Sequence, residues 1–159
     1  TNFINNIGEK WASKIAETTW KVGGNTNKIF VESVPSVIYQ NEIINPMSNI
    51  TDSKAEYKAK VGLMYLSDYG FAASRDAWKL TGNRYGSFVS INWMYMGLYE
   101  WTITRDAQDL SNVFLVYYVG YLHSYRMVQI FSVRPVFNLV PSTTYISGTG
   151  TISDPIIIN

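Results

Sequence analysis

Between Ile91 and Phe137 the apolar and aromatic residues arrive in short runs, each cut by a breaker: Gly97, the polar stretch Arg105–Asn112, Gly120 and Pro135. Short runs rich in Val, Ile, Tyr, Phe and Trp between turn formers read as strands, so this half of the chain must fold as small sheets. The pattern predicts strands at Trp93–Met96 and Tyr99–Thr104. It also predicts a hairpin of Val113–Val119 and Tyr121–Met127 turning near Val119-Gly120, then a strand at Val133–Leu139. Pro135 confines that last strand to an edge or a bulge. The tail from Tyr145 to Ile158 reads as a turn leading to a closing strand.

The N-terminal half has a different period. Ile4, Ile7, Trp11 and Ile15 recur at helical spacing, predicting an amphipathic helix over residues 3–18 that stops at the Gly-rich turn after Lys21. A second helix is expected at 35–45, with Pro35 in its first turn, Val37, Ile38, Ile43 and Ile44 as apolar contacts, and Asn45-Pro46 as the stop. Met47–Glu56 reads as a polar loop. From Tyr57 to Tyr65 the residues alternate with the period of a half-buried strand, a short helix or turn follows through Phe71–Trp78, and residues 79–92 form a long irregular segment. Helices first and short strands later make an α+β fold. The expectation is one domain over residues 1–159, helical in 1–56 and strand- and loop-rich in 57–159.

Composition narrows the function. Thirteen Lys and Arg against twelve Asp and Glu, never in a run, leave no basic footprint for nucleic acid. No apolar run reaches the ~18 residues of a membrane span, so no membrane contact is expected. Without cysteine there is no disulfide, thiolate metal site or thiol nucleophile, and the single histidine, His123, excludes a multi-histidine metal centre. Asp68, Glu100, Asp106, Asp109 and Asp154 lie near expected loops or strand ends, where two converging carboxylates would suit glycoside hydrolysis. Isolated loop aspartates more commonly serve as caps and turns. The reading is therefore of a protein that is not an enzyme and needs no cofactor.

The segments Gly62-Leu-Met-Tyr-Leu-Ser-Asp-Tyr-Gly-Phe-Ala-Ala-Ser74, Asn92-Trp93 with Gly97 and Glu100-Trp101-Thr-Ile, and Val133-Arg134-Pro135-Val136, in that order, resemble a group of bacterial surface proteins. Their C-terminal half has a C-type-lectin-like, formylglycine-generating-enzyme-like fold, and they include variable proteins diversified by retroelements and gut bacterial pilin-like proteins. The resemblance covers about residues 57–158. It implies N-terminal helices followed by small antiparallel sheets and long loops, with Trp93 and Trp101 as scaffold anchors. The oxidising relatives' paired cysteines are missing, and so are the sugar-binding calcium motifs Glu-Pro-Asn and Trp-Asn-Asp. The Asp106–Asp109 loop leaves only a structural ion open.

In such proteins the variable residues fall in a window that corresponds here to Tyr117–Ser132. Tyr117, Tyr118, Tyr121, His123, Tyr125, Arg126, Gln129 and Phe131 are then the candidate ligand-binding residues, a mix of aromatic, basic and amide side chains like that of adaptable binding surfaces. Each tyrosine equally suits plain sheet packing. Arg134, between apolar neighbours, is expected to sit against a carboxylate or backbone carbonyls. The expected partner is a protein or glycan, met at the cell surface or outside the cell, with any anchor or secretion signal upstream of Thr1. The alternative is a structural pilin-like or adhesin subunit, and behind it a divergent enzyme of the formylglycine-generating type.

Overall fold

The computed structural model describes residues 2–25, 34–45, 56–74 and 92–159. Most of the loop expected at Met47–Glu56, the second half of the helix expected at Phe71–Trp78 and nearly all of the irregular segment 79–92 lie outside the described residues. The chain is mixed α and β, with short helices and several small sheets.

The helix expected over residues 3–18 is instead two short ones, α1 (Asn2–Asn6) and α2 (Glu9–Ala12). Gly8 separates them at φ 87°, a conformation open to glycine and strained for other residues. Beyond α2 the chain turns extended. Ile15, 2% exposed, forms a bridge with Leu139, and the Ala16 amide donates to the Asn138 carbonyl. Tertiary pairing thus takes over the last turn of an apolar pattern that looks helical. Strand β1 (Thr18–Lys21) follows, then β2 (Gly24–Asn25) where a plain turn was expected.

Pro35 opens α3 (Pro35–Tyr39), which continues into a π-helical turn over Gln40–Ile44. Of its expected apolar contacts Ile38 is fully buried, while Val37 and Ile44 are exposed. The expected strand Tyr57–Tyr65 is broken at Lys60 into β3 (Glu56–Ala59), antiparallel to β1, and β4 (Gly62–Leu63). Its two halves serve different partners, so one continuous face is impossible. Helix α4 (Leu66–Phe71) comes five residues earlier than the sequence pattern placed it.

The principal sheet is built on β5 (Glu100–Asp106), β6 (Asn112–Val116) and β7 (Leu122–Arg126), an antiparallel meander. The other edge of β5 is shared end to end by two parallel partners, β2 along Arg105–Asp106 and β8 (Ser132–Val133) along Glu100–Trp101. The expected strand Val133–Leu139 is divided in the same manner. After β8, Arg134 turns inward and β9 (Pro135–Val136) pairs with β4, leaving Pro135 at a short edge as its missing N–H requires. A terminal hairpin joins β10 (Tyr145–Ser147) to β11 (Ile157–Ile158). Among the described residues no helix is long and apolar enough to cross a membrane.

The core lies between α3, α4 and one face of the sheet: Ile38, Met64, Leu66, Tyr69, Ala72, Met94, Phe114, Val116 and Leu122. Burying each large side chain there contributes roughly 1.5–3 kcal/mol. Inside this core sits Glu42, wholly buried in the π turn. Its carboxyl oxygens accept from the amides of Leu66 (3.1 Å) and Ser67 (3.2 Å) and from the hydroxyls of Ser67 (2.6 Å) and Thr104 (2.5 Å). It therefore satisfies the orphan N–H groups of α4's first turn from a distant segment and ties α3, α4 and β5 together.

Burial raises the Glu42 carboxyl from 4.5 to about 7, with the Ser67 and Thr104 hydrogen bonds opposing part of that rise. Between those two values the folded chain holds a proton that the unfolded chain has released. The stabilisation from this group is therefore complete below about pH 4.5 and is lost as pH rises toward 7. Urea unfolding should show the wild type losing about 3 kcal/mol relative to Glu42→Gln across that range. Parallel pH profiles for the two proteins would remove Glu42 from this role.

Candidate functional site

Burial along β5 alternates residue by residue. Glu100, Thr102, Thr104 and Asp106 are buried, while Trp101, Ile103 and Arg105 are half-buried. The apolar parity of this strand thus faces outward and the polar parity faces in. Each inward group has a partner. Thr102 Oγ1 donates to the Phe114 carbonyl (2.8 Å), Thr104 Oγ1 to Glu42, and Ser124 Oγ to Asp106 (2.7 Å). Glu100, its side chain 5% exposed, faces Arg134, with Nε 2.7 Å from one carboxylate oxygen and Nη2 donating to the other at 2.9 Å. The same Nη2 donates to the Met94 carbonyl (2.7 Å). Arg134 is thus a half-buried structural cation, set against a buried carboxylate and a backbone carbonyl.

The outward parity carries the aromatic residues. Trp101, Leu115 and His123 stand opposite one another across the three strands, with Val113 and Tyr125 beside them. Above this face the rings form a closed circuit. Tyr99 stacks on Phe131 (4.7 Å, 11°) and meets Tyr117 edge-on (4.5 Å, 73°). Tyr117 stacks on Tyr121 (4.6 Å, 15°), and Tyr121 leads to His123 (6.3 Å), Tyr125 (5.7 Å) and back to Phe131 (5.8 Å). Trp101 packs on Phe131 and Tyr118 on both Tyr99 and Tyr117. Leu115 belongs to this face yet is fully buried, so the rings shut water off from the sheet.

The circuit is fixed from below. Gly120, at φ 88°, closes the turn between β6 and β7, with the Gly120 amide donating to Tyr117 O and the Tyr117 amide to Tyr121 O, both at 2.7 Å. Tyr69 reaches across the core to donate its hydroxyl to the Gly120 carbonyl (3.0 Å), and Tyr95 donates to the Tyr118 carbonyl (2.8 Å). Hydrogen bonding to Tyr117 pushes the Tyr99 phenol up to about 12, and burial pushes Tyr121 up as well, so both remain neutral donors and acceptors. His123 Nδ1 lies 2.6 Å from the Ser124 carbonyl. A carbonyl only accepts, so Nδ1 carries a hydrogen toward it.

Of the candidate residues, Tyr117, Tyr118, Tyr121, His123, Tyr125 and Phe131 come together in this one layer. Tyr118 and Tyr125 are the most open of its tyrosines, 47% and 40% exposed. Because Tyr117 and Tyr118 lie in the turn rather than in a strand, both join the layer. Arg126 does not: it stands opposite Asn112 on the other parity, near Asp109. Gln129 is exposed in the turn after β7, its amide donating to the Arg126 carbonyl. Tyr99 enters the layer without having been a candidate, and its place two residues before Trp101, on the same parity, is the signal for it.

Trp93 departs from its expected anchoring role, being 79% exposed. Asn92 is the cause: its Oδ1 accepts the Met94 amide (3.0 Å) and its Nδ2 donates to the Tyr69 carbonyl (2.8 Å). That Asn-centred turn replaces the expected strand Trp93–Met96, sending Asn92 and Met94 inward and Trp93 out. No family model, curated protein or solved structure matches the chain.

Three of the carboxylates named for acid–base chemistry serve as local caps and turns. Asp68 accepts the Tyr65 amide, and Asp109 bonds Ser111 and Asn112, which holds its carboxyl below the usual range. Asp154 accepts the Thr149 amide. Among the described residues no three His, Cys, Asp or Glu side chains are grouped to hold a metal. What this surface offers is ring faces, phenol hydroxyls and one imidazole. Because Arg134 neutralises Glu100 beneath it, Arg134→Met should cost about 3–5 kcal/mol in denaturant unfolding by leaving a buried carboxylate uncompensated. A loss under about 1 kcal/mol would show that the pair is not part of the frame.

Proposed function

We propose that the chain is a non-enzymatic recognition domain of the C-type-lectin-like type, displayed on a bacterial surface, and that the aromatic layer on the outer face of β5–β7 is its binding surface. The observation that carries this reading is the closed circuit of Tyr99, Tyr117, Tyr121, His123, Tyr125 and Phe131. Rings that pack on one another have already lost their side-chain freedom, so a partner meets large contact area at little further entropic cost. Exposed Val128 and Ile130 in the adjoining turn add apolar area and favour a protein over a glycan. The buried frame does not depend on the outermost rings, which fits a surface whose residues can be exchanged among related proteins.

A structural, self-associating role is the second reading. Exposed Ile146, Ile152, Ile156 and Ile157 on the β10–β11 hairpin support it. The two readings separate experimentally. The chain is screened against an array of extracellular proteins and a glycan array, and its mass is measured by light scattering. Tyr118→Ala with Tyr125→Ala should weaken any partner by about tenfold or more while costing under about 1 kcal/mol of stability. Arg126→Ala, on the other parity, should leave binding unchanged. A partner indifferent to both tyrosines, or a chain that only self-associates, would overturn the recognition reading.

A further inference from the structure

Away from the β6–β7 hairpin, α2 with the turn that follows it and the last strand enclose a half-open cleft of about 200 Å³, lined by Lys10, Trp11, Lys14, Ile156, Ile157, Ile158 and Asn159. Its lysine wall is held by the backbone. Ser13 Oγ donates to the Lys10 carbonyl (2.9 Å), the Lys14 amide to the Trp11 carbonyl (2.9 Å), and the Val140 amide to the Lys14 carbonyl (2.8 Å). Spaced four residues apart through one turn, Lys10 and Lys14 emerge on the same side with Trp11 beside them. The facing wall is Ile156–Ile158, ending at Asn159, and both sides are open: Trp11 is 48% exposed and Ile157 50%.

Among the described residues neither lysine ammonium meets a carboxylate or a hydrogen-bond acceptor. Two cations with no counter-charge among the described residues, beside a largely apolar cleft, complement an anion with an apolar body. The volume equals that of about seven waters, enough for a short hydrocarbon chain and too little for a peptide helix.

We propose that this cleft binds a small amphiphilic anion, a medium-length acyl carboxylate. Its head is bridged by Lys10 and Lys14, and its chain lies between the Trp11 indole and Ile156–Ile158. None of these residues belongs to the aromatic face of β5–β7, so the site stands or falls independently of it. Titrating the full chain with octanoate, followed by amide and indole NMR shifts, should give saturable one-site binding with a dissociation constant on the order of 1 mM. The shifts should centre on the Trp11 indole N–H and the amides of Ile156–Ile158. Octanol, with the same chain and no charge, should bind about tenfold more weakly, as should octanoate to the folded Lys10→Gln/Lys14→Gln variant. Equal affinity for octanol, unchanged affinity in that variant, or shifts that bypass Trp11 and Ile156–Ile158 would each overturn the proposal.

Discussion

Everything else in this structure depends on the inward polar parity of β5. Four consecutive inward side chains, Glu100, Thr102, Thr104 and Asp106, are buried in the middle of the molecule, and each would cost several kcal/mol if left without a partner. Their partners come from four separate places: Arg134 after β8, the Phe114 carbonyl of β6, Glu42 in the π turn, and Ser124 of β7. An apolar strand would accept many neighbours at similar energy. This one is satisfied only when the distant π turn, the meander and the Arg134 crossover are all in place, so the polar groups select one arrangement as much as they stabilise it.

The same alternation creates the outer face. With the polar parity turned in, Trp101 and its cross-strand neighbours Leu115 and His123 must face away from the core, and an apolar sheet face there would be a liability in water. The aromatic circuit covers it. Leu115 is thereby buried as completely as any core residue. Such a layer has two surfaces, one spent on sealing the sheet and one left to the solvent. Stability of the layer therefore resides in Tyr99, Tyr117, His123 and Phe131, which make the most ring contacts among the described residues, while Tyr118 and Tyr125 present open edges.

Much of this was legible in the sequence and some of it was not, for physical reasons. The hairpin, its Gly120 turn and the edge position of Pro135 follow from local chemistry, since turn residues and proline act on their own neighbourhood. The N-terminal helix failed because Gly8 permits a break that periodicity ignores and because Ile15 pairs with Leu139, 124 residues away. Trp93 failed because a single asparagine, bonded to both its own turn and α4, outweighs the preference of a large apolar ring for burial. The inward face of β5 was the hardest to read. In Glu-Trp-Thr-Ile-Thr-Arg-Asp the period of two is plain, but the rule that apolar residues point inward assigns the wrong parity. Only the partners, all distant in sequence, reverse it.

That reversal also bears on how a recognition surface can change without loss of the fold. The groups that specify the architecture, Glu42, Glu100, Asp106 and Arg134, all act on the core side of the sheet, whereas six of the eight candidate binding residues lie in the layer on the opposite side. In β7 the two roles alternate along one strand: Leu122 and Ser124 face the core, His123 and Tyr125 face the layer. Exchange at the second pair alters ring contacts at the surface but reaches no buried polar bond, because the pleat separates them. Arg126 falls on the other parity, so the layer itself presents ring faces and the hydrogen-bonding groups of phenol and imidazole rather than a guanidinium.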